Sequence, residues 1–191
     1  MTQQEHGWRV LSTSQILDTT HLKIRSERVA LPDGTILPAY YITENRGWVG
    51  IVPVTSDGRF LLNRQYKHGI GEFVLEFPAG GIDEGEDDPL VAANRELMEE
   101  SGYSAEHDKI ELLTEMIANP TSAVTRIWFY LAHDVRKTGE QKLDPAEEIA
   151  NFLVTPAELL ELIHTGQFMV QGHIAAAYIA LERLGLLKTV L

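Results

Sequence analysis

Residues 77 to 103 read FPAGGIDEGEDDPLVAANRELMEESGY. The stretch opens as the end of a strand, because EFVLEF at 72–77 is stopped by Pro78 and the Gly80-Gly81 pair. An acidic loop follows. From Pro89 to Ser101 the pattern is helical, with Pro89 suited to the first turn and Gly102 to the position just past the end. On that helix Glu96, Glu99 and Glu100 stand at i, i+3 and i+4 and share a face. Leu90, Ala93 and Leu97 form a different stripe, suited to packing on a sheet. The glutamates repel one another unless something positive lies between them. Glu99 and Glu100 also sit near the helix C-terminus, where negative charge is disfavoured. Two readings fit the spacing. Runs of Glu with Arg are common on solvated helix faces. Hard divalent cations prefer oxygen ligands and remove the repulsion, so the same spacing also suits a cation cage. Arg95 adjoins the cluster and can orient a carboxylate by a bidentate bond.

Outward from the helix, strand patterns dominate. HLKIRSERVAL (21–31) alternates loosely, Asp33-Gly34 signals a hairpin turn, and ILPAYYIT returns. A second hairpin is expected from WVGIVPVT, Asp57-Gly58 and RFLLNRQYK. KIELLTEMI, RIWFYLAHDV and EIANFLVT read as further strands. Two helices close the chain. Thr155-Pro156-Ala157-Glu158 is a capping box for one that runs to Gly166, and the last spans roughly 174–184. Strands mixed with a few helices, not strictly alternating, predict an α+β fold. The boundary falls between an N-terminal β region, 1–47, and a main domain, 48–191.

The 191 residues carry a net charge of −12, and 44% are apolar, so a buried core is expected. The negative balance argues against nucleic acid as the main partner, since phosphate binding needs a basic footprint. An acidic protein still acts on an anionic substrate if cations mediate the contact. With no cysteine, disulfides, thiolate nucleophiles and cysteine-bearing zinc sites are excluded. No signal-peptide core and no long apolar run occur, so a cytoplasmic protein with no membrane partner is expected. P-loop, HExxH and GxSxG motifs are absent, and the histidines show no shared ligand spacing.

The stretch from Gly80 to Tyr103 resembles the Nudix box: a glycine, a glutamate, then Arg-Glu-aliphatic-x-Glu-Glu-x-Gly. Gly80/Gly81, Glu86, Arg95, Glu96, Leu97, Glu99, Glu100 and Gly102 carry the match. The usual box has seven residues between its first glutamate and the arginine, and here eight separate Glu86 from Arg95. Either Asp87 takes the glutamate's place, or Glu86 keeps it and the loop is one residue longer. A loop tolerates insertion better than a helix, which favours Glu86.

The resemblance implies a Nudix α/β/α sandwich with a mixed sheet, plus the N-terminal antiparallel region. It implies hydrolysis of a nucleoside diphosphate linked to another group, with Mg²⁺ or Mn²⁺ held by Glu96, Glu99, Glu100 and the main-chain carbonyl of Ala79. Arg95 would orient the carboxylates. A general base often comes from a separate loop in this family. DPAEEIANF, with Glu147 and Glu148, stands in that place, and in some relatives a helix glutamate serves instead.

The long N-terminal region, the approach NRQYKHGIGEFVLEFPAG and Pro120, 17 positions after Tyr103, are similar to the ADP-ribose pyrophosphatase branch. Arg64 and Lys67 face opposite ways on a strand. The resemblance favours Lys67 for substrate phosphates, with Arg64 and Arg28 as further candidates. Trp48, Tyr40 and Tyr41 are candidates for stacking on a base or for core roles. The branch also implies a homodimer through the N-terminal sheet. The alternatives are a GDP-mannose or dinucleotide pyrophosphatase, and a nucleotide-sensing Nudix-like binding module without activity.

Overall fold

The computed structural model describes residues 7–187. They divide into two compact units. The first reaches Arg46 and takes in Ile117–Arg126, and the second comprises Gly47–Met116 and the chain from Ile127 onward. The sequence boundary near residue 47 did not anticipate that Ile117–Arg126 joins the first unit. Backbone pairing brings it there. Thr43 N donates to Ser122 O at 2.8 Å, and Val124 N donates to Thr43 O at 3.1 Å.

In the first unit β1 (Arg9–Asp18), β2 (Lys23–Ala30) and β3 (Ile36–Thr43) form an antiparallel sheet in that order. The β2–β3 hairpin lies where alternation put it, and Gly34 takes the left-handed conformation at φ +88°. β1 escaped the sequence reading because RVLSTSQILD is exposed at nearly every position. Two register shifts against β2 break what alternation it has. Pairing with β2, not its own pattern, makes it a strand.

The second unit holds β4 (Trp48–Thr55), β5 (Phe60–Lys67), β6 (Glu72–Glu76), β7 (Ala79–Gly81), β8 (Tyr103–Ser104), β9 (Ile110–Ile117), β10 (Arg126–Lys137) and β11 (Ile149–Val154). They make a mixed eight-stranded sheet. The helices are α1 (Pro89–Ser101), α2 (Pro156–His164) and α3 (Gln171–Arg183). The expected β4–β5 hairpin is nearly absent as a ladder. Only Val54 and Phe60 pair, because β4 pairs in parallel with β10 and antiparallel with β7, while β5 pairs with β6 and β11.

β4 is central and buried on both faces, which is why WVGIVPVT reads as a continuous apolar run. Val49 and Ile51 pack with Ala92, Ala93 and Leu97 of α1, and with Tyr130 and Ala132 of β10. Burying a side chain such as Leu97 contributes about 1.5–3 kcal/mol. On the alternate positions Trp48 and Phe129 meet His173 of α3. A Cβ on Gly50 would lie 2.3 Å from the Phe129 ring, so only glycine fits that side of β4. Helices thus cover both faces of the sheet.

α2 has the anticipated capping box, Thr155 with Glu158, but ends at His164. α3 starts at Gln171, ahead of the expected start at 174, with Val170 as an uncapped N-cap. Among the described residues no helix is long and apolar enough to cross a membrane.

Candidate active site

The site is built where the bend after β6 meets α1. Pro78 O accepts from Ile51 N at 2.9 Å, which fixes the bend to the central strand. α1 starts at Pro89 behind Asp88, whose carboxylate caps Leu90 N. It stops at Gly102 in the left-handed conformation (φ +72°). A Cβ there would also lie 2.3 Å from Gly139 O, so both backbone and space require glycine. The loop after β10 closes over this end. Thr138 N and Gly139 N donate to Gly102 O, and Lys142 N donates to Glu99 O. The last helical carbonyls, which lack intrahelical donors, are thereby satisfied.

Arg95 is a hub. Its Nε and Nη2 donate to the two oxygens of Glu86 at 2.9 and 3.0 Å. Nη1 donates to Glu96 at 2.7 Å and to Glu99 at 3.0 Å, and Nη2 also reaches Gly81 O at 2.9 Å. The guanidinium is held firmly charged, first by Glu86. In turn it keeps the Glu86 carboxyl below its usual range. Glu86, not Asp87, therefore occupies the arginine's fork, so the box is extended within its loop.

Glu96 lies against the glycine pair: a Cβ on Gly80 would fall 2.1 Å from its Oε1. Burial pushes Glu96 up and Arg95 partly offsets this. Glu100 is 2% exposed. Its Oε2 accepts from Asn63 Nδ2 at 2.9 Å and from Ala79 N at 2.8 Å. Desolvation pushes its pKa up to about 8, the Ala79 N–H opposes the shift, and the charges of Glu96, Glu76 and Glu147 add to it. No cation pairs with Glu100 among the described residues.

The donor set suits a hard divalent cation. It is all oxygen, it carries surplus negative charge, and its most buried carboxylate has only neutral donors. Among the described residues, no three acidic or histidine side chains converge as a preformed metal cluster. Arg95 bonds to Glu96 and Glu99, and a cation would share those carboxylates with it.

Of the two loop glutamates, Glu147 is half-buried and its charge raises both Glu96 and Glu100, while Glu148 is exposed. Glu147 Oε2 accepts from Asp144 N at 2.9 Å, which shapes the loop. Arg64 and Lys67 diverge as the alternation requires. Arg64 covers the Phe73 ring at 3.7 Å, and Lys67 pairs with buried Glu76 at 2.5 Å. Lys67 shares its face of β5 with Asn63. Arg28 is exposed on β2, in the first unit.

Trp48 is half-buried and stacked on His173, which gives it a core role. Tyr40 packs edge-on to Trp8 and donates to Thr121 O; Tyr41 is exposed. Trp8, Tyr40, Pro120 and Val124 help line a cavity of about 350 Å³ within the first unit.

Several polar residues of the second unit escaped the sequence reading. Asn63, Gln141 and Asn151 all bond to Glu100, and His173 accepts from Phe77 N at 3.0 Å. The signal for the asparagines was a polar residue at an inward position of an apolar strand.

The model of the NUDIX domain matches residues 45–170. A Methanol dehydrogenase activator from Bacillus methanolicus is 30% identical over 156 residues, covering 81% of this chain and 82% of that one. An ADP-ribose pyrophosphatase from Bacillus subtilis (strain 168) is 28% identical over 158 residues, covering 82% and 83%. A crystal structure of an ADP compounds hydrolase superposes with a TM-score of 0.80 at 23% identity, over 94% of this chain and 97% of that one.

Proposed function

The chain belongs to the Nudix family and is a Nudix hydrolase, and on that premise we propose a Mg²⁺-dependent pyrophosphohydrolase. Its substrate is ADP-ribose or a related nucleoside diphosphate sugar, and its products are a nucleoside monophosphate and a sugar phosphate. The observation that carries the reading is the buried Glu100 beside Glu96, its carboxylate bonded only to neutral donors among the described residues, at the turn that carries Ala79 and Gly80. Similarity to proteins named ADP-ribose pyrophosphatase supports the substrate class.

Glu96, Glu99, Glu100 and the Ala79 carbonyl would hold Mg²⁺, or Mn²⁺ in its place. Bound there, the cation neutralises the diphosphate and acidifies water. Arg95 acts by orienting carboxylates through the bonds described above, and Glu86 fixes Arg95 in turn. A loop carboxylate takes the proton of the attacking water as the P–O bond to the leaving phosphate breaks. Glu147 is better supported than Glu148, because its charge already bears on the helix glutamates. Should neither loop glutamate serve, a helix glutamate such as Glu99 is the base. Lys67, Arg64 and Arg28 are the candidates for substrate phosphates, and Lys67 is favoured because it shares a face with Asn63. The exposed apolar residues of the first unit, among them Val10, Ile16 and Ile36, support a homodimer formed there. Working conditions of the cytoplasm, without nucleic acid or membrane, suit this chemistry.

The test is hydrolysis of a panel: ADP-ribose, GDP-mannose, UDP-glucose, dinucleotide polyphosphates and NADH, each with and without Mg²⁺. ADP-ribose should be turned over fastest, and only with the cation. Turnover of none of them would overturn the reading. The likeness to a methanol dehydrogenase activator favours one further reading, action on a dehydrogenase. An alcohol dehydrogenase whose rate rises on adding this chain would support it.

A further inference from the structure

We propose that Asn63, Asn151 and Gln141 are positioning residues that fix Glu100 as a cation ligand, gripping it at both its carboxylate and its main-chain carbonyl. The inference rests on the reading of Glu100 given above.

Asn63 on β5 and Asn151 on β11 stand directly opposite each other in the ladder. Asn63 Nδ2 donates to the Glu100 carboxylate at 2.9 Å, and Asn151 Nδ2 to the Glu100 carbonyl at 3.0 Å. Gln141, from the loop after β10, donates to the same carbonyl at 2.7 Å and to Ile149 O at 3.2 Å. Amides from separate segments thus converge on one residue. A carbonyl oxygen only accepts, so the NH₂ groups of Asn151 and Gln141 must face it.

The asparagine oxygens show what this arrangement costs. Asn63 Oδ1 and Asn151 Oδ1 are buried without a partner among the described residues. An orphan buried carbonyl destabilises a fold. A leucine at either place would fill similar space and carry no orphan oxygen of its own, though it would take a donor from Glu100. Packing alone does not account for two such groups side by side, whereas a need for donors at Glu100 does.

The donors are also of the right kind. An amide orients a carboxylate without cancelling its charge, so the charge stays available to a cation. Both bonds to the carboxylate fall on Oε2, through Asn63 and Ala79 N, which leaves Oε1 for the ligand. Groups that hold a ligating side chain in this way typically change metal affinity or activity 10- to 100-fold, on the order of magnitude, when removed.

The experiment uses the full chain with Mn²⁺ as the probe. Asn63→Leu, Asn151→Leu and Gln141→Leu are compared with wild type by electron paramagnetic resonance of bound Mn²⁺, metal-free thermal unfolding, and kcat and KM. Mn²⁺ affinity should weaken about 10- to 100-fold for the asparagine variants and less for Gln141→Leu. The metal-free midpoints should hold or rise for the asparagine variants, and fall slightly for Gln141→Leu, which loses two bonds and no orphan oxygen. The loss in turnover should fall on kcat, with KM changed less than about 3-fold. Gln141→Leu lies in a loop and carries the test if a leucine in the strands prevents folding. Variants that unfold earlier yet bind Mn²⁺ as wild type does would make the amides mere packing and overturn the inference alone. A wild type that takes up no Mn²⁺ would overturn the reading of Glu100 and this inference with it.

Discussion

At Glu86 a guanidinium supplies two donors and a full positive charge, while at Glu100 one amide and one backbone N–H supply two donors and no charge. Both carboxylates are well bonded, yet their proton affinities move apart. Glu86 falls below its usual range, and Glu100 rises to about 8. The comparison teaches that satisfying an oxygen and neutralising a charge are different acts. Glu86 is finished as it stands and serves as architecture. Glu100 is geometrically satisfied and electrostatically incomplete, which is the condition of a group waiting for a cation.

The largest test removes that incompleteness. Glu100→Gln keeps the shape and deletes the charge. It should lower kcat by about 100-fold or more while the metal-free unfolding midpoint holds or rises, because a carboxyl whose ionised form burial disfavours is replaced by a neutral amide. Full activity in this variant would end the contrast between the two ends of the site.

Next comes the charged end. Arg95→Lys retains the charge but loses the fork that holds Glu86 in two places. Activity should fall about 10-fold and stability by about 1–2 kcal/mol, modest because the arginine is partly exposed. Denaturant titration beside steady-state kinetics reads both, and unchanged values would show that Glu86 needs charge alone.

His173 extends the comparison to a neutral group. It is buried among Trp48, Phe77, Phe129 and Phe168, with Glu76 at 3.8 Å and Lys67 beyond it. Desolvation first, then Lys67, push its pKa down to about 3. The unfolded chain therefore binds this proton near pH 6.5 and the folded chain does not until near pH 3. Stability from this source is complete above pH 6.5 and is lost as pH falls toward 3, by about 2 kcal/mol at pH 5. Urea titrations at pH 7.5 and 5 should show a larger loss in wild type than in His173→Asn. Equal losses would mean that the histidine is not held neutral.

The smallest effect belongs to an arginine outside any network. Arg136 bonds Glu106 at 2.6 Å with both side chains about two-thirds exposed. Arg136→Ala should change stability by no more than about 0.5 kcal/mol and leave activity alone. A loss as large as that of Arg95→Lys would show that short distance, not burial, sets the value of these pairs.

Much of this was legible along the chain. The α1 boundaries followed from Pro89 and Gly102, and β3 and β4 from alternation and apolar runs, because the features that define them lie within a few residues. β1, the short β7 and β8, and the parting of β4 from β5 were not legible. Each depends on which distant strand supplies the ladder, as Arg9 to Ala30 or Trp48 to Ile127 do. In the site, spacing put Arg95 and the helix glutamates together but fitted a solvated face as well, and it was the resemblance to the Nudix box that singled them out. Neither spacing nor resemblance marked Asn151 and Gln141, since their partner, Glu100, lies 51 and 41 residues away in the chain.

The sequence by itself determined that a helix would carry three same-face glutamates beside an arginine, because helical periodicity is local and needs no knowledge of the rest. It left open what each glutamate would meet. The tertiary structure decided that Arg95 would bond to Glu86, Glu96 and Glu99, and that Glu100 would be left to amides in a buried place. The reason is physical: burial and electrostatic pairing are set by which distant strands and loops close over the helix, and spacing along one segment carries no information about them.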